Sequence, residues 1–191
     1  METLINRDGA IVYIIRKCIP PVDAIKLCEK LRKEVPWHND IVTVRGKDYP
    51  QHRRTYACGE FAMIHEYSGT KIPVEVWIPE VKEIRNKVQR ELDINFNSCL
   101  LNEYMDGMSY ISYHSDREAM GPNNAVVTVS LGGSRDFYFK YKGEPHETIK
   151  TTLHNGDLVL MYGNTQKLWT HSIPKRVHAD YRISLTYRLL I

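Results

Sequence analysis

The second half of the chain constrains the fold most. From residue 98 onward six segments rich in β-branched and aromatic residues follow one another: SCLLNEY, AVVTVSL, DFYFKY, TIKTT, DLVLMY and RISLTYRLLI. Turn signals (DG, GG, KGEP, NG) separate them, and no helical stretch intervenes. Short strands in close succession, without the crossover helices of a parallel sheet, read as a sandwich or jelly roll. Two amphipathic segments precede them. Residues 21–35 place Leu27, Cys28, Leu31 and Val35 at three- and four-residue spacing. Residues 78–92 do the same with Val81, Ile84, Val88 and Leu92, and Pro79 sits where a first helical turn tolerates it. The expected class is α+β, an all-β core with supporting N-terminal helices.

At 191 residues, 42% hydrophobic and 26% charged, the chain has the size and composition of a single globular domain. No Pro/Gly/Ser linker or internal repeat divides it. No apolar run is long enough to span a bilayer, and the short stretch Ile11 to Ile15 lacks a small-residue cleavage site after it. An intracellular protein, nuclear or cytoplasmic and with no membrane partner, is the expectation. Cys18, Cys28, Cys58 and Cys99 are scattered without a CxxC pair, which suits reduced thiols better than a disulfide framework or a zinc site. A net charge of +3 does not by itself imply nucleic acid; its distribution says more. A monomer is the default.

Three segments put polar side chains where a plain core needs none. Residues two apart on a strand share a face. In the last strand Arg182, Ser184, Thr186 and Arg188 share one face, opposite Ile183, Leu185, Tyr187 and Leu189. Asn102 and Tyr104 point together in segment 98–104, and His114 and Asp116 form a His-x-Asp pair. Such a pair is a two-ligand claw, and one distant histidine would complete a 2-His-1-carboxylate facial triad for non-haem Fe(II). Downstream candidates are His146, His154, His171 and His178. His171, in WTHSIPKR just before the arginine-bearing strand, is best placed; His146 and His154 read better as surface residues. Two arginines on a half-buried strand need an anion, and a small dicarboxylate would match their forked geometry. Otherwise the strand is an exposed edge with solvated arginines.

Taken together, Asn102-x-Tyr104, His114-x-Asp116, His171 and Arg182-x5-Arg188 closely resemble the AlkB family of Fe(II)- and 2-oxoglutarate-dependent dioxygenases. NEYMDGMSYISYHSDRE is especially similar to the family member acting on double-stranded DNA. The resemblance runs back to residue 40 through VTVRGK, RRTYA and HEYSGTKIPVEVWIP. It implies a double-stranded β-helix (jelly-roll) core over 98–191 and a nucleotide-recognition lid over 40–75, within one domain spanning 1–191. It implies that His114, Asp116 and His171 ligate iron as the catalytic centre. Asn102, Tyr104, Arg182, Ser184, Thr186 and Arg188 would hold 2-oxoglutarate, with Ser184 standing where the family often has Asn. The implied reaction consumes O2 and 2-oxoglutarate, yields succinate and CO2, and hydroxylates an N-methyl group that leaves as formaldehyde.

The same resemblance assigns substrate contacts. Val44-Arg45-Gly46-Lys47 matches a hairpin that inserts an aromatic side chain into duplex DNA; here the inserting position is Arg45, which weakens the expectation of duplex preference. His65 and Tyr67 match a base-contacting pair, with Tyr67 stacking on the flipped base. Arg117 and Glu118, directly after the claw, are candidates for the pocket rim. Arg53, Arg54, Lys175 and Arg176 fall in basic clusters suited to phosphate contacts. The leading expectation is repair of N-methyl lesions such as 1-methyladenine and 3-methylcytosine, in nucleic acid, with DNA favoured over RNA. One alternative keeps the chemistry but moves it to an RNA modification or a protein side chain. Another is a non-catalytic nucleic-acid-binding module, against which the intact claw and arginines argue. A zinc hydrolase would have no use for the anion site.

Overall fold

The computed structural model describes residues 1–39, 41–44, 47–60, 64–67, 70–116 and 124–190, with backbone alone for 42–44, 48, 64–67, 70 and 71. The chain opens with a hairpin, β1 (Glu2–Arg7) and β2 (Ala10–Ile15), followed by helix α1 (Pro21–Glu34). Next come the hairpin β3 (Ile41–Val44) and β4 (Lys47–Pro50), strand β5 (Arg54–Gly59), the hairpin β6 (Ile64–Tyr67) and β7 (Thr70–Pro73), and β8 (Glu75–Val76). Helix α2 (Pro79–Leu92) leads into β9 (Ser98–Tyr104), β10 (Ile111–His114), β11 (Val126–Gly132), β12 (Arg135–Tyr141), β13 (Thr148–Leu153) and β14 (Leu158–Gly163). One helical turn, α3 (Thr165–Leu168), then β15 (Trp169–Ile173) and β16 (Arg182–Arg188) complete it.

Both helices form where the apolar spacing places them, each opening on a proline that has no amide hydrogen to leave unsatisfied. Helix α1 buries Ala24, Cys28 and Leu31, and α2 buries Val81, Ile84 and Val88. Twelve of the strands form two main sheets: a large one in the order β1-β2-β14-β11-β16-β9-β5-β8, and a smaller one in the order β10-β15-β12-β13. This is the jelly-roll core. The helices cover one face of the large sheet, where their buried residues join Cys58, Cys99, Leu101, Val127, Val129, Ile183, Leu185 and Tyr187 in one apolar cluster. Between the two sheets lies a second cluster built on Val12, Ile14, Val126, Phe137, Phe139, Leu153, Val159, Met161 and Trp169.

Strand β16 sits at the centre of the large sheet, paired with β11 and β9. Its alternation therefore divides two interiors: Ile183, Leu185 and Tyr187 face the helices, while Arg182, Ser184, Thr186 and Arg188 face into the sandwich. An exposed edge strand is excluded.

The structure differs from the sequence reading in two places. The N-terminal part supplies strands to the core as well as helices: β1, β2, β5 and β8 are members of the large sheet. The hairpin β1–β2 turns on Asp8-Gly9, both with positive φ, the geometry that a two-residue loop between twisted strands requires. The second difference is α3, a helical turn within the β-rich half. The hairpins β3–β4 and β6–β7 form two small sheets of their own. No helix among the described residues is long and apolar enough to cross a membrane.

All four cysteines are buried and free. Burial pushes the Cys18, Cys28 and Cys58 thiols up to about 11, and Cys99 well above its ordinary value. The thiolate is the reactive form. At pH 8 the native protein is therefore expected to resist a small thiol reagent such as Ellman's, and to titrate four thiols promptly in denaturant. Rapid labelling of the native state would show that these sites open.

Candidate metal centre and anion pocket

The smaller sheet sets the two histidines. His114 at the end of β10 and His171 in β15 are directly opposite in the antiparallel ladder, their ring centroids 4.3 Å apart. Phe137 stacks on the His171 ring at 5.4 Å, which fixes its plane. His114 Nδ1 lies 2.9 Å from Ser112 O, a bond that makes Nδ1 the protonated nitrogen and turns Nε2 towards Asp116 as an acceptor. Burial pushes His171 down to about 3 and holds His114 below its ordinary value, so both imidazoles are neutral and able to ligate.

Asp116 follows β10 and is 2% exposed. Its Oδ1 lies 3.8 Å from His114 Nε2 and its Oδ2 3.5 Å from His171 Nε2, and one ligand atom from each residue falls within 4.8 Å of the others. Two donors bonded to one ion at about 2.1 Å lie no more than about 4 Å apart, so these separations suit a single first-row cation. Arg188 Nη2 donates to Asp116 Oδ1 at 2.6 Å across the gap between the sheets, setting a guanidinium against the carboxylate.

The large sheet supplies the other wall. Across β9 and β16, Tyr104 pairs with Arg182 and Asn102 with Ser184. Asn102, Tyr104, Ser184, Thr186 and Arg188 line one pocket with His114, Asp116 and His171, together with Leu100, Ile111, Phe137 and Ile173. Arg182 lies behind Tyr104, its guanidinium carbon 5.1 Å from the ring centroid, and is fully buried. It donates to Ser130 Oγ at 2.7 Å, while among the described residues its Nη1 has no hydrogen-bond partner and no carboxylate pairs with it. Burial pulls its pKa down to about 10, so it stays charged at neutral pH. A buried, charged guanidinium with a spare donor and no carboxylate is what a dicarboxylate cosubstrate requires. The donor set thus fits Fe(II) and 2-oxoglutarate together.

Sequence reasoning missed several members of this wall. Arg135, 2% exposed, has its guanidinium carbon 5.6 Å from the Tyr104 ring centroid and donates to the carbonyls of Asp106, Ser109 and Pro174, tying the 105–110 loop to the segment after β15. Thr128 lies 3.3 Å from Thr186, hydroxyl to hydroxyl, and Ser130 supports Arg182. The signal was there: in AVVTVSL, Thr128 and Ser130 alternate with valines as the polar residues of the last strand do.

The predicted phosphate contacts divide. Arg53 departs from a surface role: it is 5% exposed, lines the pocket, and donates from Nε to Asn102 Oδ1 at 2.8 Å. Arg54 is spent on the fully buried Glu103, which also accepts from the Tyr181 hydroxyl at 2.5 Å. Arg176 is engaged by Asp136 and by Tyr138 Oη at 2.6 Å. Lys175 is exposed, with its ammonium 4.6 Å above the Tyr110 ring. Lys47 is exposed at the start of β4. His65 and Tyr67 lie on β6, with their side chains outside the described residues; Arg45, Gly46, Arg117 and Glu118 lie outside them altogether. His146 is exposed beside Glu144, and His154 bonds Ser134, neither part of the metal group.

A two-sided outcome tests the anion site. Arg182→Met keeps the bulk but removes charge, so 2-oxoglutarate affinity in the Mn(II)-loaded protein, read by calorimetry, should fall roughly 10- to 100-fold, equivalent to about 1.5–3 kcal/mol of charged hydrogen bonding. The apo protein should unfold in urea at no lower concentration than wild type, because a buried cation without a carboxylate is lost. Reduced stability with unchanged affinity would make Arg182 a packing residue.

The profile of the 2OG-Fe(II) oxygenase superfamily matches residues 11–188. The DNA oxidative demethylase ALKBH2 of Arabidopsis thaliana is 31% identical over 218 residues, covering 100% of this chain and 69% of the relative. The alpha-ketoglutarate-dependent dioxygenase alkB homolog 3 of Mus musculus is 30% identical over 211 residues, covering 97% and 72%. The solved structure of OsALKBH1 superposes with a TM-score of 0.64 over 96% of this chain and 99% of that one, at 17% identity, a likeness of fold. With a His-Asp-His group able to hold a metal beside a buried polar wall, and a profile match across residues 11–188, the chain belongs to the 2OG-Fe(II) oxygenase superfamily.

Proposed function

We propose that this chain repairs alkylated nucleic acid by oxidative demethylation of N-methyl bases such as 1-methyladenine and 3-methylcytosine, with DNA favoured over RNA. The observation that carries the reading is a His114-Asp116-His171 group sharing one pocket with Asn102, Tyr104, Ser184, Thr186 and Arg188, in a chain about 30% identical to enzymes named DNA oxidative demethylases. Bound in that pocket, Fe(II) and 2-oxoglutarate supply, with O2, the oxidising chemistry that hydroxylates the N-methyl group and releases formaldehyde, succinate and CO2.

The chain's own residues bind and orient. His114, Asp116 and His171 hold the iron, with Arg188 bonded to Asp116. Arg182 and Tyr104 take the carboxylate of 2-oxoglutarate remote from the metal; Asn102, Ser184, Thr186 and Arg188 line the near end, and Arg53 orients the Asn102 amide. In this reading residues 1–191 form one domain and 98–191 its catalytic core. Residues 40–75 act as the nucleotide-recognition lid, which the separate small sheets β3–β4 and β6–β7 support. Arg45, Gly46 and Lys47 engage the strand around a flipped base, His65 and Tyr67 contact the base, and Arg117 and Glu118 form the rim. Lys175, exposed and unpaired with any acid among the described residues, is the strongest of the phosphate contacts. The protein acts as a monomer in a reducing intracellular setting.

The deciding experiment uses protein reconstituted anaerobically with Fe(II), 2-oxoglutarate and ascorbate. It is given oligonucleotides bearing 1-methyladenine or 3-methylcytosine, as DNA and RNA, single- and double-stranded. Mass spectrometry should show loss of the methyl group that requires both iron and 2-oxoglutarate and vanishes in Asp116→Ala. Succinate formation without demethylation of any oligonucleotide would discard these substrates and keep the oxygenase. Preference for RNA would move the reading to RNA modification.

A further inference from the structure

We propose that Gln166 is a positioning residue of the metal centre: its side-chain carboxamide grips the backbone of Asp116 and so sets where the carboxylate ligand meets the histidine pair. The proposal rests on the metal-centre reading and is independent of the substrate.

Asp116 is the one triad member outside a strand. The ladder between β10 and β15 last pairs at His114 and His171, and Asp116 lies two residues beyond it. Its amide N–H donates instead to Gln166 Oε1 at 2.9 Å. The neighbouring Ser115 hydroxyl donates to Trp169 O at 2.9 Å, so the two residues that follow the claw histidine are both tied to the segment 166–169. A carboxylate on so short a side chain has its position fixed largely by its own backbone, and the Gln166 bond constrains that backbone directly.

Gln166 can do this only if it is itself held. Helix α3 is a single turn, too short to stand alone. It is bolted to the N-terminal hairpin: Asn164 donates from its backbone to Gly9 O at 2.8 Å and from Nδ2 to Asp8 O at 3.0 Å, and Thr165 Oγ1 accepts the Ile11 N–H at 3.1 Å. The Thr165 hydroxyl also sits 2.6 Å from Tyr162 O, and Lys142 Nζ donates to Gln166 O at 2.8 Å. The Gln166 Nε2 end rests 3.5 Å from Met161 Sδ. A continuous set of hydrogen bonds thus runs from the Asp8-Gly9 turn through α3 to the amide of an iron ligand.

Outer partners of metal ligands typically contribute roughly 10- to 100-fold in metal affinity. Gln166→Met keeps the length and shape of the side chain but removes the acceptor oxygen; Gln166→Glu keeps an acceptor. Fe(II) is titrated anaerobically into each protein in the presence of 2-oxoglutarate, following the visible charge-transfer absorption of the complex, and Mn(II) binding is measured by calorimetry. Gln166→Met should raise the apparent Kd for both ions roughly tenfold or more, with the apo Tm close to wild type, and Gln166→Glu should restore binding. Thr165→Val, which severs the tie to Ile11, should weaken binding to an intermediate degree. Unchanged metal affinity in Gln166→Met, whatever its Tm, overturns the proposal; unchanged affinity in Thr165→Val alone removes the hairpin from it. Failure of the wild-type protein to bind Fe(II) would sink the metal-centre reading itself.

Discussion

Everything around the site depends on two guanidiniums being buried at the centre of an eight-stranded sheet. Arg182 and Arg188 are 0% and 3% exposed, in a strand with neighbours on both sides, and removing such charges from water is costly unless they are answered. The protein answers them differently. Arg188 is met from within by Asp116, so one cation is neutralised by the residue that must itself stay ionised to hold a metal. Arg182 has a serine hydroxyl and an aromatic face but no acid among the described residues, and Arg135, also against Tyr104, adds further positive potential. The deficit is local and directional, and it suits a carboxylate that comes from outside the chain.

The two sheets divide the chemistry. The smaller sheet delivers the imidazoles as a cross-strand pair, and the larger delivers anion-binding groups in register on β9, β16 and β11. The Asp116–Arg188 bond joins the halves. An enzyme of this design needs its sheets held at a fixed separation, and the dense aromatic packing of Phe137, Phe139 and Trp169 between them does that close to the metal group.

Much of this was legible in sequence because strand alternation is a strict rule. RISLTYR divides cleanly into charged and apolar faces, and the two interiors on either side of β16 follow from that split. The helices were legible for the same reason at a different period, although in α1 Ala24 is fully buried and Leu27 only partly, packed against the same cluster. What escaped was long-range. Nothing in AIVYII says that it pairs with DLVLMY at the far end of the chain, although the Asp8-Gly9 dipeptide before it was a hairpin signal in plain view. Arg53 read as a phosphate contact and Arg135 carried no signal, because the cost of burying them is offset by partners that are distant in sequence: the Asn102 amide in one case, three carbonyl oxygens in the other. Gln166 carries no motif at all; its importance is visible only as an atom 2.9 Å from an amide.

The large sheet also has to end somewhere, and its two margins are built differently from its middle. At one side β1 carries Glu2, Asn6 and Arg7 and breaks register between Thr3 and Ile5; at the other β8 is two residues long. Charge, irregularity and brevity are each poor templates for another chain's backbone. Without the β1–β2 hairpin the margin would be β14, whose LVLM run is wholly buried and regular, a surface inviting edge-to-edge association. The hairpin is therefore a cap on aggregation as well as a support for α3. A partner that meets this protein is directed to its loops and its pocket mouth rather than to strand addition along the sheet.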